Sequence, residues 1–255
     1  MCCHRAGWFN NRNPRQQGSL LVINNWLTNI QDWLLPRLCP ACGDPAGPGR
    51  ELCPGCEQSL PILRHACPRC AIPYDHPDTQ GECGACQRHP PAFTRAVAQY
   101  RYAPPVDHFI RALKFHRQLG LARLLGERLA QRLVHEPFRP DLILPVPLHG
   151  ARLRERGYNQ ALEIARPVAR ALNVPLEFRS LVRVRATAPQ TGMPVKARRK
   201  NLRGAFRVRH EAAVRNLRVA LVDDVMTTGS TLHAAARCLR AAGADTVEIW
   251  VVARA

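Results

Sequence analysis

The sequence is poor in acidic and aromatic residues and contains no long apolar run. Its 255 residues include 19 Asp and Glu against 37 Lys and Arg, only three of them Lys, and 6% are aromatic. No apolar stretch approaches the ~18–20 residues of a membrane-spanning helix, so no membrane insertion is predicted. The apolar segment 20–23 is too short for a secretory signal, and Asn24 and Asn25 interrupt it. We therefore expect a cytoplasmic protein whose cysteines stay reduced.

The excess of positive charge lies in the C-terminal part of the chain. The formal net charge is +18, to which residues 93–255 contribute +17, residues 39–92 contribute −2 and residues 1–38 contribute +3. A surplus of this size favours a polyanionic partner such as nucleic acid. The alternative is a solvated basic surface in an Arg-rich protein, because charge alone does not identify a partner.

Three segments differ in composition. Residues 1–24 are polar and largely without periodicity, which predicts a disordered tail. From residue 25, large apolar side chains recur at helical spacing until Pro36 ends the pattern. We assign residues 25–92 to this helix and a cysteine-rich module, and residues 93–255 to a second domain.

Eight cysteines occur as four CxxC pairs. A CxxC turn presents two thiolates on one side of a tight loop, and two such turns complete a tetrahedral Cys₄ shell for zinc. The surrounding sequence is rich in Pro and Gly with few large aliphatic residues, so metal binding would supply the stability that a core cannot. We expect two structural zinc ions, with sequential pairing favoured over a cross-braced arrangement: Cys39, Cys42, Cys53 and Cys56 in the first site, and Cys67, Cys70, Cys83 and Cys86 in the second.

The same CxxC pairs could instead form disulfide bonds or a redox site. Disulfide bonds are disfavoured by the reducing compartment expected from the absence of a secretory signal. A thioredoxin-like redox site is disfavoured because four pairs recur outside any βαβ context. Structural zinc is therefore the preferred interpretation.

Strand and helix patterns alternate from residue 94 to the end of the chain. This alternation predicts an α/β domain with a parallel sheet flanked by helices. The strand patterns fall at residues 96–102, 141–146, 181–184, 205–208, 217–222 and 246–252. Residues 149–160, between the second strand pattern and the next helix, are strongly basic and predict a loop.

The most specific pattern is residues 216–242. A buried-strand pattern ends at Asp223 and Asp224, and a short loop then enters a helix; the loop residues are Thr227, Thr228, Gly229, Ser230 and Thr231. Backbone N–H groups at a helix N-terminus bind anions, and Gly229 lets the backbone approach closely. Carboxylates at a strand end accept hydrogen bonds from sugar hydroxyls. The pattern predicts a ribose-phosphate site, and an ordinary strand–helix turn with a Ser/Thr N-cap is the alternative.

The acidic pair and its loop resemble the signature of type I phosphoribosyltransferases, which bind 5-phosphoribosyl-1-pyrophosphate (PRPP). With the CxxC pairs, further motifs resemble the ComF family of double-zinc-ribbon phosphoribosyltransferase-like proteins: LKF (113–115), PVPL (145–148), RGYNQA (156–161), QTG (190–192) and NLRGAF (201–206). The resemblance covers about residues 26–255. It implies a type I phosphoribosyltransferase-like parallel sheet preceded by a double zinc ribbon. It also implies a cytoplasmic role with incoming single-stranded DNA in natural transformation.

The resemblance also implies roles for particular residues. Asp223 and Asp224 would hold the ribose hydroxyls, residues 227–231 would hold the 5′-phosphate, and Mg²⁺ would accompany PRPP. Residues 185–204 match the family's loop that closes over pyrophosphate, although Met193 and Pro194 replace the usual Leu-Ser. The basic candidates for pyrophosphate or a DNA backbone are Arg152, Arg156, Lys196, Arg198 and Arg199.

Two functions follow as hypotheses. The first is a DNA-uptake protein that binds single-stranded DNA and a ribose-phosphate ligand, with Tyr158 as the main candidate for base stacking and other DNA-uptake proteins as possible partners. The second is an active enzyme that transfers phosphoribosyl from PRPP to a nitrogen acceptor. No catalytic base can be identified for it. A transcriptional regulator is disfavoured because no helix-turn-helix is recognisable.

Overall fold

The computed structural model describes residues 37–185 and 204–255. The predicted tail 1–24, the helix that ends at Pro36, and the basic residues Lys196, Arg198 and Arg199 lie outside these residues. The chain divides into two compact units, residues 1–58 and 59–255. The first group of four cysteines belongs to the smaller unit, and the second group belongs to the larger one.

The described part of the smaller unit consists of two cysteine turns. Cys39 N donates to the carbonyl of Asp44 over 2.7 Å, and a short helix, α1 (Pro54–Gln58), begins directly after Cys53 and contains Cys56. Cys39, Ala46 and Leu52 are its buried residues of apolar character. So small an apolar core cannot offset the loss of chain entropy, which agrees with a unit that depends on bound metal.

The larger unit begins with the segment that carries the second group of four cysteines, which we call the second cysteine turn, and continues as an α/β domain. Its elements in chain order are α2 (Gly84–Arg88), β1 (Arg95–Arg101), α3 (Val106–Phe115), α4 (Leu119–Leu133), β2 (Leu142–Pro145), α5 (Gly150–Arg156), α6 (Gln160–Leu172), β3 (Leu181–Arg183), β4 (Phe206–Val208), a 3₁₀ turn (Glu211–Ala213), β5 (Arg218–Met226), α7 (Ser230–Ala241) and β6 (Thr246–Arg254). No helix in the two described stretches is both long and apolar enough to span a membrane.

Four strands form one parallel sheet in the order β1-β6-β5-β2. Every residue of β6 after Thr246 is buried, as expected for a central parallel strand covered by helices on both faces. The predicted α/β class with a parallel sheet is therefore confirmed. The helix after the predicted loop is also confirmed, since α7 turns its Leu and Ala residues inward: Leu232, Ala235, Ala236 and Leu239.

The second cysteine turn packs onto the same core as α7. Leu63, Ala71 and Phe93 are buried in one cluster with Leu221 of β5 and Ile249 of β6. Leu63 N also donates to the carbonyl of Gln99 on β1 over 3.0 Å. This half of the cysteine-rich module is thus built into the α/β domain.

Three details differ from the sequence-based expectations. The strands at 181–184 and 205–208 exist, but β3 and β4 pair antiparallel with each other and do not join the parallel sheet. The basic segment 149–160 is not the predicted loop, because its centre is helix α5, which Gly157 ends with a φ of 85°. Strand β5 does not end at the acidic pair, because pairing with β6 continues to Met226.

Helices α4 and α6 approach each other closely at Gly126. A Cβ atom there would lie 2.5 Å from the carbonyl oxygen of Ile164 and 2.5 Å from Cγ of Pro167. Because one contact is backbone and the other a proline ring, neither can move away easily. At Gly120 in the same helix, a Cβ atom would have nothing within 4 Å.

We predict that Gly126→Ala lowers the free energy of unfolding by about 1–3 kcal/mol, as overpacking does. Gly120→Ala, the matched control, should preserve or slightly raise stability because Ala is the better helix former. Urea unfolding of the zinc-loaded protein measures both. Equal stability of the two variants would contradict the close approach.

Candidate functional site

The hydroxyl-rich loop, residues 227–231, connects β5 to α7. Gly229 lies immediately before α7 with a φ of 72°, and a Cβ at this position would come within 2.7 Å of Met226 Cε. The loop therefore requires glycine here. Because the N-cap residue is this glycine, the predicted alternative of an ordinary Ser/Thr N-cap is not what the structure shows.

The carboxylate of Asp224 is buried beside Lys114. Asp224 is 3% exposed, and its Oδ1 lies 2.9 Å from Lys114 Nζ. Its Oδ2 is buried and has no hydrogen-bond partner within residues 37–185 and 204–255. A buried carboxylate oxygen without a donor is unfavourable, so this atom lacks a partner that the described residues do not supply.

Asp223 is the neighbouring carboxyl on β5. Burial and the negative charge of Asp224 raise the pKa of Asp223 to about 7, although Lys114 and Arg183 act in the opposite direction. Burial also opposes the charge on Lys114, but the ion pair with Asp224 outweighs this effect and raises the pKa of Lys114. Near pH 7 the Asp223 carboxyl is therefore only partly ionised, and a bound cation would favour its ionised form.

Two cavities meet at the acidic pair. One has a volume of 250 Å³ and is lined by Tyr102, Lys114, Asp223 and the hydroxyl-rich loop. The other has a volume of 190 Å³, and its polar and charged lining residues are Lys114, Arg152, Gln160, Arg183, Asp223, Asp224 and Thr231. Lys114, Asp223 and Thr231 line both cavities, so carboxylates, cations and hydroxyls lie beside spaces that suit an anionic sugar phosphate.

The structure brings together most of the residues predicted for the sugar-phosphate site. Asp223, Asp224, residues 227–231 and Arg152 line the two cavities. Arg156 does not line them, and its guanidinium lies 5.8 Å from the centre of the Phe115 ring. Sequence reasoning missed Lys114 and Arg183. The LKF motif contained a signal for Lys114, but nothing in the spacing of residues placed it opposite Asp224.

Each group of four cysteines fits a zinc ion. Within each group the Sγ atoms all lie within 4.8 Å of one another, and the groups follow the sequential pairing. Four sulfurs at ~2.3 Å from zinc in a tetrahedron are separated by about 3.8 Å. The Sγ atoms of Cys42 and Cys53 are 3.7 Å apart, as are those of Cys70 and Cys83. No histidine of the described residues joins either group.

The second cysteine group is joined to the hydroxyl-rich loop by Arg254. This side chain is 5% exposed, and its Nε donates to the carbonyl of Cys70 over 3.0 Å. Its Nη1 donates to the carbonyl of Met226 over 3.0 Å, and to those of Thr227 and Ala255. Nearby, the backbone N–H of Ala92 donates to His233 Nδ1 of α7 over 3.1 Å. A cavity of 360 Å³ lies between the cysteine turn and α7.

We predict that Asp223→Asn raises the melting temperature more at about pH 8 than at about pH 4. The folded-state pKa of about 7 exceeds the ordinary value of 3.8. The stability that the neutral carboxyl provides is therefore complete below pH ~4 and is lost as the pH rises through ~7. Asn keeps the neutral form at every pH. Thermal unfolding across this range, with exposed Asp78→Asn as the control, measures the difference; an equal shift at both pH values would contradict it.

We predict that Cys67→Ser lowers bound zinc from about two ions per chain to about one. It should also destabilise the larger unit, because Cys67 is buried and its neighbouring turn packs in the core. Cys238→Ser, which removes a thiol outside both groups, should keep both ions. Elemental analysis and urea unfolding measure these effects. Wild-type zinc content in Cys67→Ser would contradict the assignment.

Comparison with known proteins identifies both parts of the chain. A double zinc ribbon domain model matches residues 30–87, and a phosphoribosyl transferase domain model matches residues 158–255. Among solved structures, a glutamine PRPP amidotransferase from B. subtilis is 24% identical with a TM-score of 0.36, over 51% of this chain and 25% of that one. This chain thus spans about a quarter of that enzyme's length.

Two curated relatives match over most of their length, and a third matches over less than half. DNA utilization protein YhgH from Salmonella typhi is 38% identical over 192 residues, which cover 73% of this chain and 82% of the relative. Competence protein F from Haemophilus influenzae is 37% identical over 182 residues, covering 68% and 78%. Competence protein ComFC from Bacillus subtilis is 33% identical over 103 residues, covering 40% of each chain. With its two cysteine groups and its phosphoribosyltransferase domain, the chain belongs to the ComF family of competence and DNA-utilization proteins.

Proposed function

We propose that this protein acts in the cytoplasm in natural transformation or the use of external DNA, and that it binds single-stranded DNA together with a ribose-phosphate ligand of the PRPP class. The observation that carries the ligand assignment is that Asp223 and Asp224 line one cavity, and that Asp223 also lines the cavity of the hydroxyl-rich loop. Ribose hydroxyls would donate hydrogen bonds to these carboxylates.

The loop residues support the phosphate end of this ligand. Thr227 to Thr231 line the same cavity as Asp223, and α7 begins at Ser230, directly after a glycine that has no side chain to cap it. A 5′-phosphate here would accept from the first N–H groups of α7 and meet the positive end of the helix dipole. The sugar would then extend toward Asp223 and Asp224. Mg²⁺, which favours phosphate and carboxylate oxygens, would accompany PRPP.

Charge and relatives support the DNA part of the proposal. Residues 93–255 carry most of the net charge of +18. Relatives named for DNA utilization and competence match most of this chain. Arg152 and Arg183 line the cavity beside the acidic pair, where they would contact phosphates of the strand. Because such binding releases counterions, affinity for DNA should fall steeply with salt.

The second candidate function is transfer of phosphoribosyl from PRPP to a nitrogen acceptor. The observation that favours it is the set of three cations around the acidic pair: Lys114, Arg152 and Arg183 line one cavity. Positive charge in this position would stabilise pyrophosphate as it departs. No acceptor site follows from the described residues, so ligand binding without turnover is the simpler function.

We predict that Asp224→Asn weakens binding of PRPP with Mg²⁺ by at least about tenfold, because a buried charged acceptor is lost. Its affinity for single-stranded DNA should stay within about twofold of wild type, since a carboxylate does not attract phosphates. Titration calorimetry with PRPP and fluorescence anisotropy with an oligonucleotide measure the two on the full, zinc-loaded chain.

Asp245→Asn is the matched control, because it removes an exposed carboxyl outside both cavities. It should leave both affinities unchanged. Wild-type protein that fails to bind PRPP would overturn the ligand assignment. Wild-type protein that fails to bind DNA at low salt would overturn the proposed binding of single-stranded DNA. Release of pyrophosphate on addition of an amine would establish the second candidate function.

A further inference from the structure

Phe115 is the last residue of α3 and is unusually exposed. The inward face of α3 consists of Val106, Phe109, Ile110 and Leu113, which are all buried. Phe115 is not part of this face and is 69% exposed. Isolated exposed apolar residues are common in proteins and need no function. Its neighbours therefore decide whether this ring has a role.

Those neighbours are cationic. The guanidinium of Arg156 lies 5.8 Å from the centre of the Phe115 ring. Arg117 follows Phe115 by two residues in the chain and is exposed as well. Lys114, next in the chain to Phe115, lines both cavities at the acidic pair. An exposed aromatic ring among basic side chains is the combination that binds single-stranded nucleic acid.

Helix α5 joins this ring to the sugar-phosphate cavity. Arg152 lines the cavity, and Arg156 stands over Phe115. The two arginines are four residues apart in one helix and therefore lie on the same face. They form a continuous cationic path from the acidic pair to the aromatic ring.

Tyr158, the residue predicted from the sequence to stack on a base, is instead held by a hydrogen bond within the protein. Its hydroxyl donates to the carbonyl of Leu113 at the end of α3. Burial raises the pKa of Tyr158, as expected for a ring that is held against the protein. The exposed ring at this place is Phe115.

We infer that Phe115 is a stacking platform for one base of a single-stranded DNA, with Arg156 and Arg152 contacting the phosphates that lead toward the acidic pair. A paired base offers no free face, so the surface selects a single strand. Stacking tolerates any base, so the contact gives little sequence preference. This inference rests on the proposed binding of single-stranded DNA and names the residue that would contact a base.

Phe178 provides a matched control. It is 45% exposed, and the guanidinium of Arg179 lies 5.5 Å from its ring centre, which resembles the arrangement at Phe115. Phe178 lines neither cavity at the acidic pair. Any general effect of removing an exposed phenyl ring should therefore appear in Phe178→Ala as well.

The test compares two fluorescent probes on the full, zinc-loaded chain at about 50 mM salt. One is an oligothymidylate, and the other has the same length and phosphates but abasic sugars. Phe115→Ala should weaken binding of oligothymidylate by about 5- to 100-fold and leave binding of the abasic probe within about twofold. Phe115→Trp should retain wild-type affinity, and Phe178→Ala should match wild type on both probes. Thermal unfolding confirms that the variants are folded.

The outcomes separate this inference from the proposed function. If wild type binds oligothymidylate and Phe115→Ala binds it equally well, the stacking role is wrong and DNA binding stands. An equal loss on both probes would show that the ring acts without a base, which also overturns the stacking role. Wild type that binds neither probe would overturn DNA binding itself and the inference with it.

Discussion

The guanidinium of Arg254 holds together the parts of the chain that meet at the candidate site. It donates to the carbonyls of Cys70 in the second cysteine turn, of Met226 at the end of β5, and of Thr227 in the hydroxyl-rich loop. Carbonyl partners satisfy its donors but do not neutralise its charge, and an uncompensated buried charge is unfavourable. Four thiolates around one dication retain net negative charge, so a filled second cysteine site would provide the compensation. The metal site and the loop therefore depend on one side chain.

The sequence was sufficient to predict those features that depend only on residues close together in the chain. The inward face of α7 and the turn at Gly229 could be predicted, because helical periodicity and the conformational freedom of glycine are local properties of the sequence. The composition of each cysteine group was also predictable from CxxC spacing. The acidic pair lies in the cavity lining, but its role as a ribose site stays a prediction, and its position inside β5 was not predicted.

What the sequence could not show depends on contacts between distant residues. Asp223 and Asp224 extend β5 because β6 continues beside them, which a strand pattern read alone does not reveal. The antiparallel pairing of β3 and β4 depends on which strands meet in space. Lys114 lies beside Asp224 because of how α3 packs, which the sequence does not show. Phe115 could not be distinguished from Tyr158 by residue type, because only its exposure in the structure sets it apart.

The two prolines after the core of β2 have a consequence for how the sheet edge behaves. Val146 N donates to the carbonyl of Val222 on β5, inside the sheet, whereas Ile143 N donates to the carbonyl of Pro175 on the outer side of β2. Because the backbone N–H groups of a strand point alternately to its two sides, positions 145 and 147 face the outer side, as Ile143 does. Pro145 and Pro147 have no N–H to offer there. A further strand that approached this part of the edge would find no donors at these two positions, which disfavours edge-to-edge pairing beside the cavity that Pro147 lines.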